Sequence, residues 1–180
     1  MEYKEFSLAF LKMGDVIQYQ NDGSKFGNSI QAKQIKEGFI LEDSQYTHVE
    51  ISGGKRHSIN ISPPRSKLVD ITKAHKGRYI RIVRYDNEDF KKGLRYKVAY
   101  FSASLANLGY DLKGIIAFIS FFKKWIKQNN RLYFCSEGCA ESFKRVFPEI
   151  WDTTPDKIYP ASFNETNGFK TVWEGKIPSL

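Results

Sequence analysis

The first of only two cysteines, Cys135, stands inside RLYFCSEGCAESF (residues 131–143), where an apolar, strand-like run gives way to a helical pattern. The N–H groups and positive dipole end of a helix N-terminus stabilise a nearby anion, and a thiolate is an anion. Cys135 is therefore a candidate nucleophile, set against the ordinary reading of a free cysteine as a small buried hydrophobe. A thiol nucleophile needs a base within hydrogen-bond reach and a third group that holds the base in one tautomer. Three histidines are on offer. His48, in YTHVEIS, alternates with Val49 and Ile51, so its side chain shares a strand face with Glu50 and Ser52. His57 begins the next strand, and His75, in the charged turn KAHKG, reads as a solvated surface residue. Across the hairpin from His48, Asn60 is placed to orient the imidazole through its amide oxygen, although asparagine near a strand end is more often turn chemistry. A metal reading of the two sulfurs fails on spacing. A lone C-x₃-C lacks the paired ligands of a zinc site, so no metal or other cofactor is expected, and Cys139 reads as core.

These residues need a scaffold that joins a hairpin to a distant helix start. VIQYQ (Val16–Gln20) reads as a strand entered from a Gly-Asp turn and left through Asn-Asp-Gly. Polar residues with spaced apolar positions over 29–37 predict a short helix or an exposed connection. The alternation in YTHVEISGGKRHSINIS predicts a hairpin: a strand over 47–52, a turn at Gly53-Gly54 and a strand over 57–62 that Pro63-Pro64 stops. GRYIRIVRY (77–85) predicts a further strand, and helical spacing of Phe90, Leu94, Val98 and Phe101 or Leu105 predicts a helix within 88–106. A second, more buried apolar segment covers 110–126, and a helix is expected over 136–146, with Ser136 and Glu137 near its start, Lys144 and Arg145 near its end and Pro148 beyond. The tail after Trp151 reads as a long wrapping loop with TPDKIYPASF as its ordered part. Strands first and helices later predict an α+β fold rather than alternating βαβ units. One domain over 1–180, with its core in about residues 14–163, accommodates the whole.

Four motifs in order carry a further expectation. GDVIQY (14–19), YTHVEIS (46–52), YDLKGIIAF (110–118) and YFCSEGCAESF (133–143) resemble the circularly permuted NlpC/P60 papain-like family, which includes YiiX-like proteins and, more distantly, lecithin:retinol acyltransferases. The resemblance implies a small antiparallel sheet or barrel opened by a Gly-Asp strand and packed against helices. It also implies a histidine in an SHV-like strand that precedes the nucleophile, which comes late, in a CSE motif at a helix N-terminus. Ordinary papain-like chains run the other way, cysteine first. On this resemblance Cys135 is the nucleophile and His48 the base. The family's third polar residue lies a little over ten positions after the histidine, commonly as Glu in an IEA-like segment; here the segment is SINIS, so Asn60 takes the matching place, with Glu50 or His57 as substitutes. Glu137 matches the acid of CSE, which helix-start electrostatics explains without a catalytic duty.

The implied activity is that of a thiol hydrolase, an amidase or peptidase working through a thioester, on a small-molecule, peptide, peptidoglycan-stem or lipid-linked amide or ester. The alternative is a binding module of the same fold that holds an anionic ligand. Lys+Arg 28 against Asp+Glu 20, a net charge of +8, favours an anionic surface or polymer as partner. The basic residues are dispersed and match no nucleic-acid motif, which argues against sequence-specific DNA reading. The N-terminus has Glu2 and Glu5 before a short apolar stretch and does not read as a signal peptide, and GIIAFISFF (114–122) is about half the length of a membrane span. With so little cysteine, a cytoplasmic, reducing location is expected. A lipid-facing role would be sought at Phe121, Phe122 and Trp125 beside Lys123 and Lys124, which otherwise read as core.

Overall fold

The computed structural model describes residues 8–106, 108–109 and 133–178. It is an α+β fold built on one six-stranded antiparallel sheet of order β4-β3-β2-β1-β5-β6. The strands are β1 (Val16–Gln20), β2 (Tyr46–Gly54), β3 (His57–Asn60), β4 (Lys67–Asp70), β5 (Tyr79–Tyr85) and β6 (Phe169–Lys176). The helices are α1 (Lys25–Lys36), the short α2 (Leu41–Ser44) and α3 (Ile71–Ala74), then α4 (Arg95–Ser104) and α5 (Cys135–Lys144). Among the described residues no helix is long and apolar enough to cross a membrane.

Local chemistry sets several of the boundaries. Gly14, just before β1, has φ +84, and a Cβ built there would stand 2.7 Å from the backbone oxygen of Arg95, so only glycine lets β1 start against the α4 segment. Ser24 caps α1 by accepting the Gly27 N–H at 3.0 Å. The hairpin is longer than its sequence suggests. β2 runs through Gly54, and the turn lies at Lys55-Arg56, where Gly54 (φ 95) and Lys55 (φ 53) take the left-handed conformation. β3 ends at Asn60, short of the expected Ser62.

Both faces of the sheet are covered, because its alternating side chains are apolar on both sides. Val16, Val49, Ile51 and Val83 join Val98 of α4 and Cys135, Cys139, Ala140 and Phe143 of α5 in one cluster. Ile17, Tyr19, Ile80 and Ile82 join Ile71, Trp173 and Ile177 in another. Register places Tyr19 opposite His48 and Ile17 opposite Glu50, and on the other side of β2 it pairs Ile51 with Ile59 and Ser52 with Ser58.

Two strands were not expected from the sequence. β4 pairs with β3 as an edge, and the tail read as a wrapping loop contributes β6, which pairs with β5 from Tyr79–Lys176 to Tyr85–Phe169. The helix expected within 88–106 begins as a π turn (Phe90–Leu94) and becomes α-helical only at Arg95. The apolar segment over 110–126, with Phe121, Phe122, Lys123, Lys124 and Trp125, lies outside the described residues.

Candidate active site

β2 carries two of the decisive side chains. His48 and Glu50 are two residues apart, so they leave the strand on the same face, and His48 Nε2 lies 3.2 Å from Glu50 Oε1. Glu50 is fully buried and accepts at its other oxygen, Oε2, from the Tyr19 hydroxyl at 3.0 Å and, in a short contact, from the Ser58 hydroxyl. Strand pairing explains the gathering, since β1 delivers Tyr19 beside His48 and β3 delivers Ser58 near Glu50. A third element closes the cluster. His75, just past α3, brings its Nε2 to 2.8 Å from Glu50 Oε1 and packs its ring on Tyr19 with centroids 4.3 Å apart. One carboxylate thus faces two imidazoles and two hydroxyls.

Cys135 is the first residue of α5 and is 3% exposed. Helix geometry puts the first-turn N–H groups and the positive dipole end at this residue. Glu137 serves the helix start, its Oε2 accepting from the Phe134 N–H at 3.3 Å, and the Ser136 hydroxyl ties the first turn to the tail by donating to Ile158 O at 2.7 Å. The Cys135 sulfur is both a hydrogen-bond partner and a charge partner of the His48 ring. With Nε2 turned to Glu50, Nδ1 is the ring nitrogen left for the sulfur. Cys135, His48, Tyr19, His75, Asn60 and Arg78 all line one cleft of about 310 Å³, with Phe26 and Ile30 of α1 as part of its apolar wall.

The electrostatics follow from this packing. Burial alone would lower the His48 pKa, but the charge and hydrogen bond of Cys135, followed by those of Glu50, outweigh it and raise the value from 6.5 to about 10. Burial would raise the Glu50 pKa; hydrogen bonds from His48 and His75, and then their charges, hold its carboxyl below the usual carboxylate range instead. Tyr19 is pushed well above its ordinary value by burial and by Glu50, so it stays a neutral donor. Cys139, fully buried in the apolar cluster, has its thiol pushed up by burial and then by Cys135 and Glu50, which keeps it protonated and inert.

The structure therefore brings Cys135 and His48 into one cleft and sets Glu50, the substitute for the third residue, on the imidazole. Asn60 also lines the cleft and is 7% exposed, yet its Oδ1 has no hydrogen-bond partner among the described residues, so it does not hold the His48 ring. The reason is reach: the carboxylate on the same strand already occupies Nε2. His57 lies at the far end of β3, paired with Asp70 and Gly54, and does not line the cleft. His75 is a correction, since its side chain is 12% exposed and sits against Glu50 rather than in solvent. KAHKG is charged on both sides and carries no local sign of burial; neither does Tyr19 advertise its role, which depends on cross-strand pairing. Among the described residues no group of three or more His, Cys, Asp or Glu is arranged to hold a metal ion. Comparison with known proteins finds no matching family model and no matching curated protein.

Proposed function

We propose that this protein is a cysteine hydrolase or acyltransferase of permuted papain-like type, with Cys135 as nucleophile, His48 as base and acid, and Glu50 as the residue that orients the imidazole. The observation that carries the reading is a cleft lined by a helix-initial sulfur and an imidazole in contact with it, with a buried carboxylate hydrogen-bonded to that imidazole from behind. The order of the motifs, histidine strand first and cysteine helix last, supports the permuted arrangement.

His48 holds the thiol proton on Nδ1, and the thiolate attacks the carbonyl carbon of an amide or ester, forming a C–S bond as the carbonyl π pair moves onto oxygen. The N–H groups at the start of α5 and their dipole stabilise that oxyanion. The tetrahedral adduct collapses to a thioester, the C–N or C–O bond breaks, and the leaving group takes the proton from His48. Water, or another acceptor, then gives a proton to the neutral imidazole and attacks the thioester, and the sulfur leaves with its electron pair. Glu50 stays ionised throughout and keeps Nε2–H pointed away from the sulfur, so the basic nitrogen always faces it. Substrates in this class are peptide, peptidoglycan-stem and lipid-linked amides or esters.

The test is an activity-based thiol probe with Cys135→Ala as the control, followed by hydrolysis of a simple thiol-reactive ester such as p-nitrophenyl acetate. Labelling and turnover that vanish in Cys135→Ala and persist in Cys139→Ala are the expected result. Equal labelling of the Cys135→Ala protein overturns the assignment.

A further inference from the structure

The basic residues of this chain are dispersed, but its acidic residues are not, so the net charge varies along the chain. Residues 51–80 hold seven cationic side chains against one acidic one, a net +6, and residues 91–134 hold nine against one, a net +8; of these two basic stretches the first lies wholly within the described residues. Six of the seven, Lys55, Arg56, Arg65, Lys67, Lys73 and Lys76, are exposed, and the single acid, Asp70, is engaged by Arg56 at 3.1 Å. The acidic side chains Glu37, Glu42 and Glu165 line different depressions, around α2.

Topology decides where the basic region lies. Residues 51–80 form the end of the hairpin, the edge strand β4 and the α3 turn, and the same stretch supplies Asn60, Ser62, Pro63, His75 and Arg78 to the cleft wall. Lys67 pairs with Asn60 across β3 and β4, so a cation stands on the strand next to a cleft residue. A lysine on an edge strand discourages edge-to-edge association, and Lys67 alone suffices for that. Lys55 on the hairpin turn and Lys73 on α3 lie off the strand and need another explanation. Two large apolar side chains accompany the cations without cover: Leu68 on β4, 59% exposed, and Phe26 on the cleft wall, 45% exposed.

Cations flanking protruding apolar side chains match the two-layer chemistry of an anionic bilayer surface, where headgroups attract the charge and the acyl boundary accepts the apolar groups. A soluble polyanion satisfies the charge but gives Leu68 nothing to enter. We propose that the β3–β4–α3 edge docks this protein peripherally on an anionic lipid bilayer, beside the cleft that carries Cys135. This inference rests on charge and exposure rather than on the catalytic reading.

The experiment is co-sedimentation of the full chain, and separately of Cys135→Ala, with vesicles of phosphatidylcholine alone or mixed with phosphatidylglycerol, at low and at physiological salt. Binding confined to the phosphatidylglycerol vesicles is expected, equal for both proteins and weakened by salt. The double variant Lys55→Glu, Lys73→Glu should bind about tenfold more weakly, since each cation near an anionic surface adds to the attraction. Leu68→Ser should weaken binding to vesicles and leave binding to heparin unchanged. Circular dichroism and urea midpoints confirm that each variant is folded. No binding to phosphatidylglycerol vesicles, an unaffected charge-reversal variant, or heparin competing fully while Leu68→Ser has no effect would each overturn the proposal. If vesicle binding holds and Cys135 proves unreactive, only the catalytic reading falls.

Discussion

The imidazole of His48 lies between Cys135 and Glu50, and their relative weights make a test. Cys135 is the larger influence raising its pKa and Glu50 the smaller, both acting against burial. Cys135→Ala should therefore move the His48 titration further down from about 10 toward 6.5 than Glu50→Gln does, as read by NMR of the ring resonances. The reverse order would mean that the carboxylate, not the sulfur, governs the ring. Glu50→Gln keeps the shape of the side chain but can no longer fix the tautomer, so ester turnover should fall by about 100-fold or more. His75→Gln, which retains an N–H donor toward Glu50, should preserve most turnover, whereas His75→Leu leaves the carboxylate short of a partner and should lower it; equal rates for the two variants would deny His75 a part in holding Glu50. At this scale the sequence was partly legible. Cys135, His48 and the face shared with Glu50 follow from a helix start and from strand alternation, which are local rules. His75 and Tyr19 are brought to Glu50 by pairing across 25 to 31 positions of chain, which no local pattern encodes.

Elements position these groups, and their weak points are specific. Gly14→Ala would place a Cβ against the Arg95 backbone oxygen in a left-handed conformation, and a loss of about 1–3 kcal/mol is expected from the urea midpoint. Because Gly14 fixes where β1 begins, the same variant should slow Cys135 labelling by shifting Tyr19 relative to Glu50. Phe143, on the fourth residue past Cys139 in α5, packs among Phe90, Trp151, Phe163 and Phe169, and Phe143→Ala should cost about 3–5 kcal/mol. A loss below about 1 kcal/mol would mean that α5 is not seated by this aromatic cluster. Strands β1, β2, β3 and β5 and helix α5 were readable because their alternation or helical spacing is strong. β4 and β6 were not, since KLVD is four residues long and FKTVWEGK contains a glycine and charges that read as loop. Both become strands only because an existing edge offers unpaired backbone groups to bond.

Across the whole molecule, the buried cluster links stability to pH with opposite signs at its two members. His48 has a raised pKa, so its contribution is complete below its ordinary value of 6.5 and is lost as pH rises through about 10. Glu50 has a depressed pKa, so its contribution is complete above its ordinary value of 4.5 and is lost as pH falls through the lower value it has when folded. The two windows overlap between 4.5 and 6.5, where the cluster stabilises the fold most. Urea midpoints should therefore decline from pH 6.5 toward 10 in the native chain and decline less in His48→Gln; parallel curves would show that the ring does not carry the alkaline arm.

Taken alone, the amino-acid sequence determined the α+β class, the hairpin, the helix-initial cysteine and the excess of positive charge, because each depends on residues close together in the chain. The tertiary structure decided which carboxylate reaches His48, that His75 turns inward, that the tail supplies a strand, and that one of the basic stretches borders the cleft. Those outcomes depend on which strands become neighbours. Neighbour choice is settled by burying both sheet faces at once, an energy summed over the whole fold and absent from any short window of residues.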